Sequence, residues 1–167
     1  WAFHGNMDKA LTLQEHTIQI VLSGTVGDAE KQYTLLETEF HLTTDSVDNT
    51  FKIEIEDIKG IIDREYACQN KNNENVYGQK VTVTYKATLN DSAALDLGRP
   101  GFENDARVEF SNNPNQGVES QTGFTPWDTV VCYSYRLNGL KINNYGTPLE
   151  NAVFRLYQDE ACEQEVF

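Results

Sequence analysis

Ten consecutive residues, Lys80-Val81-Thr82-Val83-Thr84-Tyr85-Lys86-Ala87-Thr88-Leu89, alternate polar and apolar without a break, a period of two that fits a half-buried strand and no helix. Successive strand side chains point to opposite faces. Val81, Val83, Tyr85, Ala87 and Leu89 are therefore expected to line a core, with the Lys and Thr side chains in water. The same period recurs in Phe51-Lys52-Ile53-Glu54-Ile55-Glu56, in Ala106 to Phe110 and in Val131 to Leu137. His16 to Leu22 and Gln32 to Leu36 read as further strands, separated by the turn-prone Ser23-Gly24-Thr25-Val26-Gly27-Asp28. No stretch reads as a helical stripe. Half-buried strands punctuated by Gly, Asn and Pro imply an all-β fold, two antiparallel sheets packed as a sandwich.

Hydrophobic content of 39% against 23% charged residues is globular composition. The formal net charge of −13 repels phosphate backbones, so no nucleic-acid partner is expected. No apolar run approaches the roughly 20 residues that span a bilayer, and no membrane insertion is expected of this stretch. Trp1-Ala2-Phe3-His4-Gly5 has neither the basic nor the apolar region of a signal peptide and no initiator Met, so the sequence reads as a section of a longer chain. Cys68, Cys132 and Cys162 show no metal-site spacing; they read as loop or buried thiols, or as one disulfide and a free thiol. His4, His16 and His41 are scattered, and no G-x-S-x-G, phosphate-loop or H-E-x-x-H motif is present. Neither an enzyme nor a cofactor is expected. Cys68 to Asn75, rich in Asn, reads as an exposed loop. Composition shifts near Leu137, where Lys141 to Leu149 gives a strand, a turn and a Pro. Residues 1–136 then form one domain, and 137–167 the incomplete beginning of a second, too short to bury a core alone.

Three segments between Val81 and Asp128 are more specific: Thr84-Tyr85-Lys86-Ala87-Thr88-Leu89-Asn90, then Asn104-Asp105-Ala106-Arg107-Val108-Glu109-Phe110-Ser111-Asn112-Asn113-Pro114, then Thr125-Pro126-Trp127-Asp128-Thr129-Val130-Val131. In order and spacing they resemble the fimbrial isopeptide-forming domains of sortase-assembled Gram-positive pilus backbones. Asn6 to Leu13 is similar to the family's segment after its catalytic acid. Lys141 and Gly146-Thr147-Pro148-Leu149-Glu150-Asn151-Ala152-Val153-Phe154-Arg155-Leu156-Tyr157 resemble the first strands of a Cna B-type domain.

The resemblance implies an Ig-like, Cna-type β-sandwich lacking its N-terminal strand, followed by the first strands of a second sandwich. It implies a structural subunit of a surface pilus or wall-anchored stalk, with neighbouring pilin subunits and a sortase as partners. It also implies an autocatalytic Lys–Asn isopeptide bond in the full-length parent, a buried neutral Lys attacking an Asn carboxamide beside a protonated acid. Asn112 is the acceptor it suggests, with Asn104 the second choice, and Lys141 matches the reactive Lys of the following domain. Two features depart from the family pattern. Gly5 stands where the acid is expected, and the reactive Lys strand would precede Trp1. The alternative is an adhesin domain recognising host protein or glycan, for which Tyr33, Tyr77, Trp127 and Tyr145 offer contact area.

Overall fold

The computed structural model describes residues 1–26, 29–66, 80–95, 100–112, 121–134 and 138–166. The chain divides into two compact units, Trp1–Ser134 and Tyr135–Phe167. Unit 1 is built on antiparallel strands, as the alternating segments require: β1 (Ala2–Met7), β2 (Leu11–Val26), β3 (Ala29–Thr34), β4 (His41–Asp45), β5 (Thr50–Glu54), β6 (Lys80–Leu89), β7 (Phe102–Ser111), β8 (Thr122–Phe124) and β9 (Asp128–Cys132). One sheet has the order β4-β5-β1-β7-β8, with β9 also on β7; the other is β3-β2-β6. Residues of both sheets enter one hydrophobic cluster, in which Ile20, Leu22, Ile53 and Ile55 are fully buried.

β6 occupies the ten residues that alternate. Val81, Val83, Tyr85 and Ala87 pack against the core, but Leu89, at the strand end, is 39% exposed. β2 extends beyond the expected His16 to Leu22 at both ends, and its pairing with β6 shifts register between Gln14 and Gln19. The Thr17 hydroxyl repairs the ladder there, donating to Gln14 O at 2.6 Å and accepting from Lys86 N–H at 2.8 Å. The expectation of no helix fails. Ile58–Tyr66 is an α-helix, α1, and a five-residue helix, α2, spans Asp91–Leu95. Ile58, Ile61, Ile62 and Tyr66 recur at three- and four-residue spacings, and all four enter or pack against the core.

A polar clasp fixes α1 to β3 and to the 3-10 turn Glu37–Glu39. Arg64 donates to Glu39 at 2.6 Å, to Glu65 at 2.8 Å and to the Tyr33 hydroxyl at 3.1 Å. Tyr33 donates to Glu39 at 2.8 Å, and Lys31 donates to the Glu65 carbonyl. Arg64 and Lys31, in that order of strength, hold the Glu65 carboxyl below its ordinary range. Burial pushes Glu39 up, but the Leu36 N–H, Arg64 and Tyr33 together outweigh it and hold it low. A carboxyl whose folded pKa lies below its unfolded value contributes stability that is complete above the unfolded value, about 4.3 for Glu. That contribution is lost as pH falls through the folded value. The thermal midpoint should therefore drop steeply below about pH 4, and less steeply in Glu39→Gln; parallel curves would discount the clasp.

Unit 2 is held by short-range contacts. Ile142 bridges Pro148 around a turn with Gly146 at φ +79°, and Tyr157 bridges Glu165. Asp159 accepts the Glu163 and Gln164 N–H groups, which lowers its carboxyl pKa. Leu140, Val153, Phe154 and Leu156 are all exposed. Among the described residues no helix is long and apolar enough to cross a membrane.

Candidate functional site

β1 is the central strand of the larger sheet, paired with β5 through Gly5↔Phe51 and with β7 through Gly5↔Ala106. Its odd-numbered residues face the core. A β-carbon on Gly5 would fall inside the Phe51 ring, against Cε1, Cζ and Cδ1. That ring sits 5.0 Å from Tyr85 and 5.9 Å from Phe3, centroid to centroid, so an aromatic triad from β1, β5 and β6 fills the space where a residue-5 side chain would extend. Above the triad, the Tyr85 hydroxyl lies 3.1 Å from Asn104 Oδ1 and 2.9 Å from Asn104 Nδ2, a hydrogen bond that joins the two sheets. Burial raises the Tyr85 pKa more than this contact lowers it, and the phenol stays neutral.

Asn104 is thus a partly buried core amide, whereas Asn112 is exposed at the far end of β7, with its N–H bonded to Gln121 O at 2.9 Å. The two lie at opposite ends of one strand. Lys141 belongs to unit 2 and is exposed there, its carbonyl accepting from Leu149 N–H at 2.8 Å. Cys132 and Cys162 are exposed free thiols in different units; Cys68 lies outside the described residues, as do Tyr77 and the Cys68 to Asn75 segment. Asp8, the acid nearest Gly5 in the sequence, accepts the Ala10 N–H at 2.9 Å in the β1–β2 corner.

The outward face of the larger sheet carries a second arrangement, which sequence reading missed. Pairing aligns Thr43, Lys52, His4 and Arg107 in one row across β4, β5, β1 and β7. Three basic side chains thus stand side by side in an acidic chain. Lys52 is paired with Glu54 at 3.3 Å and His4 with Glu109 at 2.8 Å, a contact that lowers the Glu109 pKa. Arg107 differs. Its guanidinium is held between the Phe124 ring at 4.3 Å and the Trp127 ring at 4.4 Å, and its buried Nε has no hydrogen-bond partner. No carboxylate among the described residues is seen paired with it.

No family model and no curated protein matches this chain. A core with the Phe51 ring over Gly5 has no room for a proton-shuttling acid at that position. The chain is therefore expected to keep its full sequence mass, without the loss of about 17 Da that marks ammonia released when an amine displaces an amide. Intact-mass spectrometry checks this, and a deficit of that size would show a cross-link. Of the expected contact aromatics among the described residues, Trp127 joins the outward row, Tyr33 is committed to the Glu39 clasp, and Tyr145 is exposed in unit 2.

Proposed function

We propose that the chain is a load-bearing section of an extracellular stalk: a pilus-type or wall-anchored structural subunit of a Gram-positive surface, its first unit an Ig-like β-sandwich. Unit 2 supplies the first strands of a Cna B-type module, and neighbouring pilin subunits and a sortase are its partners.

The path of the chain through β7 carries this reading. β1 pairs antiparallel with β7 from Ala2↔Glu109 to Met7↔Asn104, and β9 pairs with the other edge of β7 from Ala106↔Asp128 to Phe102↔Cys132. β1 and β9 therefore run in the same direction. The start of β1 lies at the Glu109 end of β7 and the end of β9 at the Phe102 end. Tension applied through residues 1 and 134 pulls these strands lengthwise past β7. Antiparallel hydrogen bonds lie perpendicular to the strands, so both ladders are loaded in shear and their bonds must yield together. That is the geometry of a tension member.

Force spectroscopy on the full chain tests it. Because perpendicular bonds share a lengthwise load but open one by one when peeled, the rupture force between residues 1 and 134 should exceed by about twofold or more that between Asp48 and residue 134. Asp48 lies in the β4–β5 turn, beside the Met7 end of β1, so that second pair peels the sheet from one end. Equal forces along both axes would remove the mechanical argument.

A further inference from the structure

The row Lys52, His4, Arg107 forms the floor of an open groove of about 580 Å³ whose walls include Asn6, Thr43, Asp45, Thr50 and Trp127. Small-ligand sites fall in the range of roughly 300–1,000 Å³. Within this groove Arg107 is preorganised: two rings fix its guanidinium plane, so little side-chain entropy remains to be lost when an anion docks. A fixed planar fork matches a carboxylate, which it can engage through two parallel N–H···O bonds.

The surroundings narrow the ligand further. Asp45, Asp48 and Asp105 lie close by, and with a net charge of −13 a polyanion would be repelled. A ligand with one carboxylate and otherwise neutral, hydroxyl-rich chemistry escapes that repulsion. Its hydroxyls meet complementary groups, since Asp45 spends Oδ1 on the Val47 and Asp48 N–H groups and retains a second oxygen as acceptor. Asn6, Thr43 and Thr50 add donors and acceptors, and Trp127, 45% exposed, gives an apolar wall. We infer that this groove binds a carboxylated sugar, a uronic or sialic acid residue of a glycan, with Arg107 on the carboxylate and the Asp45–Asn6 side on the hydroxyls.

The test is a titration of the full chain, followed by amide and indole NMR shifts, with sodium glucuronate and N-acetylneuraminate as probes and glucose and acetate as comparators. At least one sugar acid should shift the Trp127 indole and the Asn6 and Lys52 amides along a saturating curve, about tenfold tighter than glucose or acetate, since each partial ligand lacks half the contacts. Arg107→Gln should abolish saturation, and Arg107→Lys, which keeps the charge but loses the planar fork, should weaken binding about tenfold. Should Arg107→Gln lose its native shift dispersion, Lys52→Gln, clear of the aromatic clamp, carries the test through an expected severalfold loss. Acetate binding as tightly as both sugar acids overturns the proposal, as does binding that survives Arg107→Gln. So does the lack of any saturating shift at about 50 mM probe, far above the ~1 mM constant expected of a one-sugar site. The rupture-force comparison is independent of all these outcomes.

Discussion

Gly5→Asp is expected to destabilise unit 1 by about 3 kcal/mol or more, measured by urea unfolding followed through tryptophan fluorescence. The steric part comes first. The new β-carbon falls inside the Phe51 ring, and that ring is hemmed by Tyr85 and Phe3, so it cannot swing aside without moving the triad. Overpacking of this kind costs about 1–3 kcal/mol. The carboxyl then adds a polar group among three aromatic rings. Domains hold only about 5–15 kcal/mol in total, so the variant should be marginal or unfolded. Gly5→Ala isolates the steric part, and in Gly5→Ala/Phe51→Leu the smaller side chain should relieve it, giving a loss below the sum of the two singles. A Gly5→Asp protein as stable as wild type would mean that the core can reopen to accept an acid. The space beside Phe51 would then be open to an acid at position 5.

Asn49→Ala should be nearly as damaging, although Asn49 lies in a turn. Its backbone has φ +55°, a left-handed conformation that costs most residues about 1–2 kcal/mol. Its side-chain amide donates to Met7 O at 3.2 Å, Asp8 O at 2.7 Å and Leu11 O at 3.0 Å, while its own carbonyl accepts Met7 N–H at 3.1 Å. One side chain thus ties the β4–β5 turn to the corner between β1 and β2. Losing both contributions should cost about 3 kcal/mol, and Asn49→Gly, which keeps the backbone conformation, somewhat less. Asn49→Asp turns the donor into an acceptor facing three carbonyls. Its folded pKa should lie above the unfolded value, so its deficit is largest at neutral pH and shrinks as pH falls towards about 4. A deficit independent of pH would show that the carbonyls find other donors.

The legible parts of the fold are those where one residue type suffices to place a side chain. β6 matches its alternation to the residue, and β5 nearly so. β7 begins at Phe102, four residues before its alternation becomes visible, because Asn104 is a polar residue on the inward face, satisfied by Tyr85. β1 was invisible for a related reason: its inward residues are Phe3, Gly5 and Met7, and a glycine in mid-strand signals a turn unless one knows which ring covers it. α1 escapes sequence reading although Ile58, Ile61, Ile62 and Tyr66 have helical spacing, because the stripe is short and Gly60 interrupts it. The arginine clamp lay beyond sequence reasoning. Lys52, His4 and Arg107 meet only through the register of three strands, and Phe124 and Trp127 reach Arg107 from a later segment.

The central place of β1 bears on the order in which the protein can be made. Both neighbours of β1 lie far along the chain, and its longest ladder, from Ala2↔Glu109 to Met7↔Asn104, cannot form until β7 has emerged from the ribosome. Contacts this distant in sequence slow folding, and unpaired strand edges invite association with other chains while they wait. A chaperone that holds β1 until β7 arrives would therefore act on the step that limits the yield of folded protein.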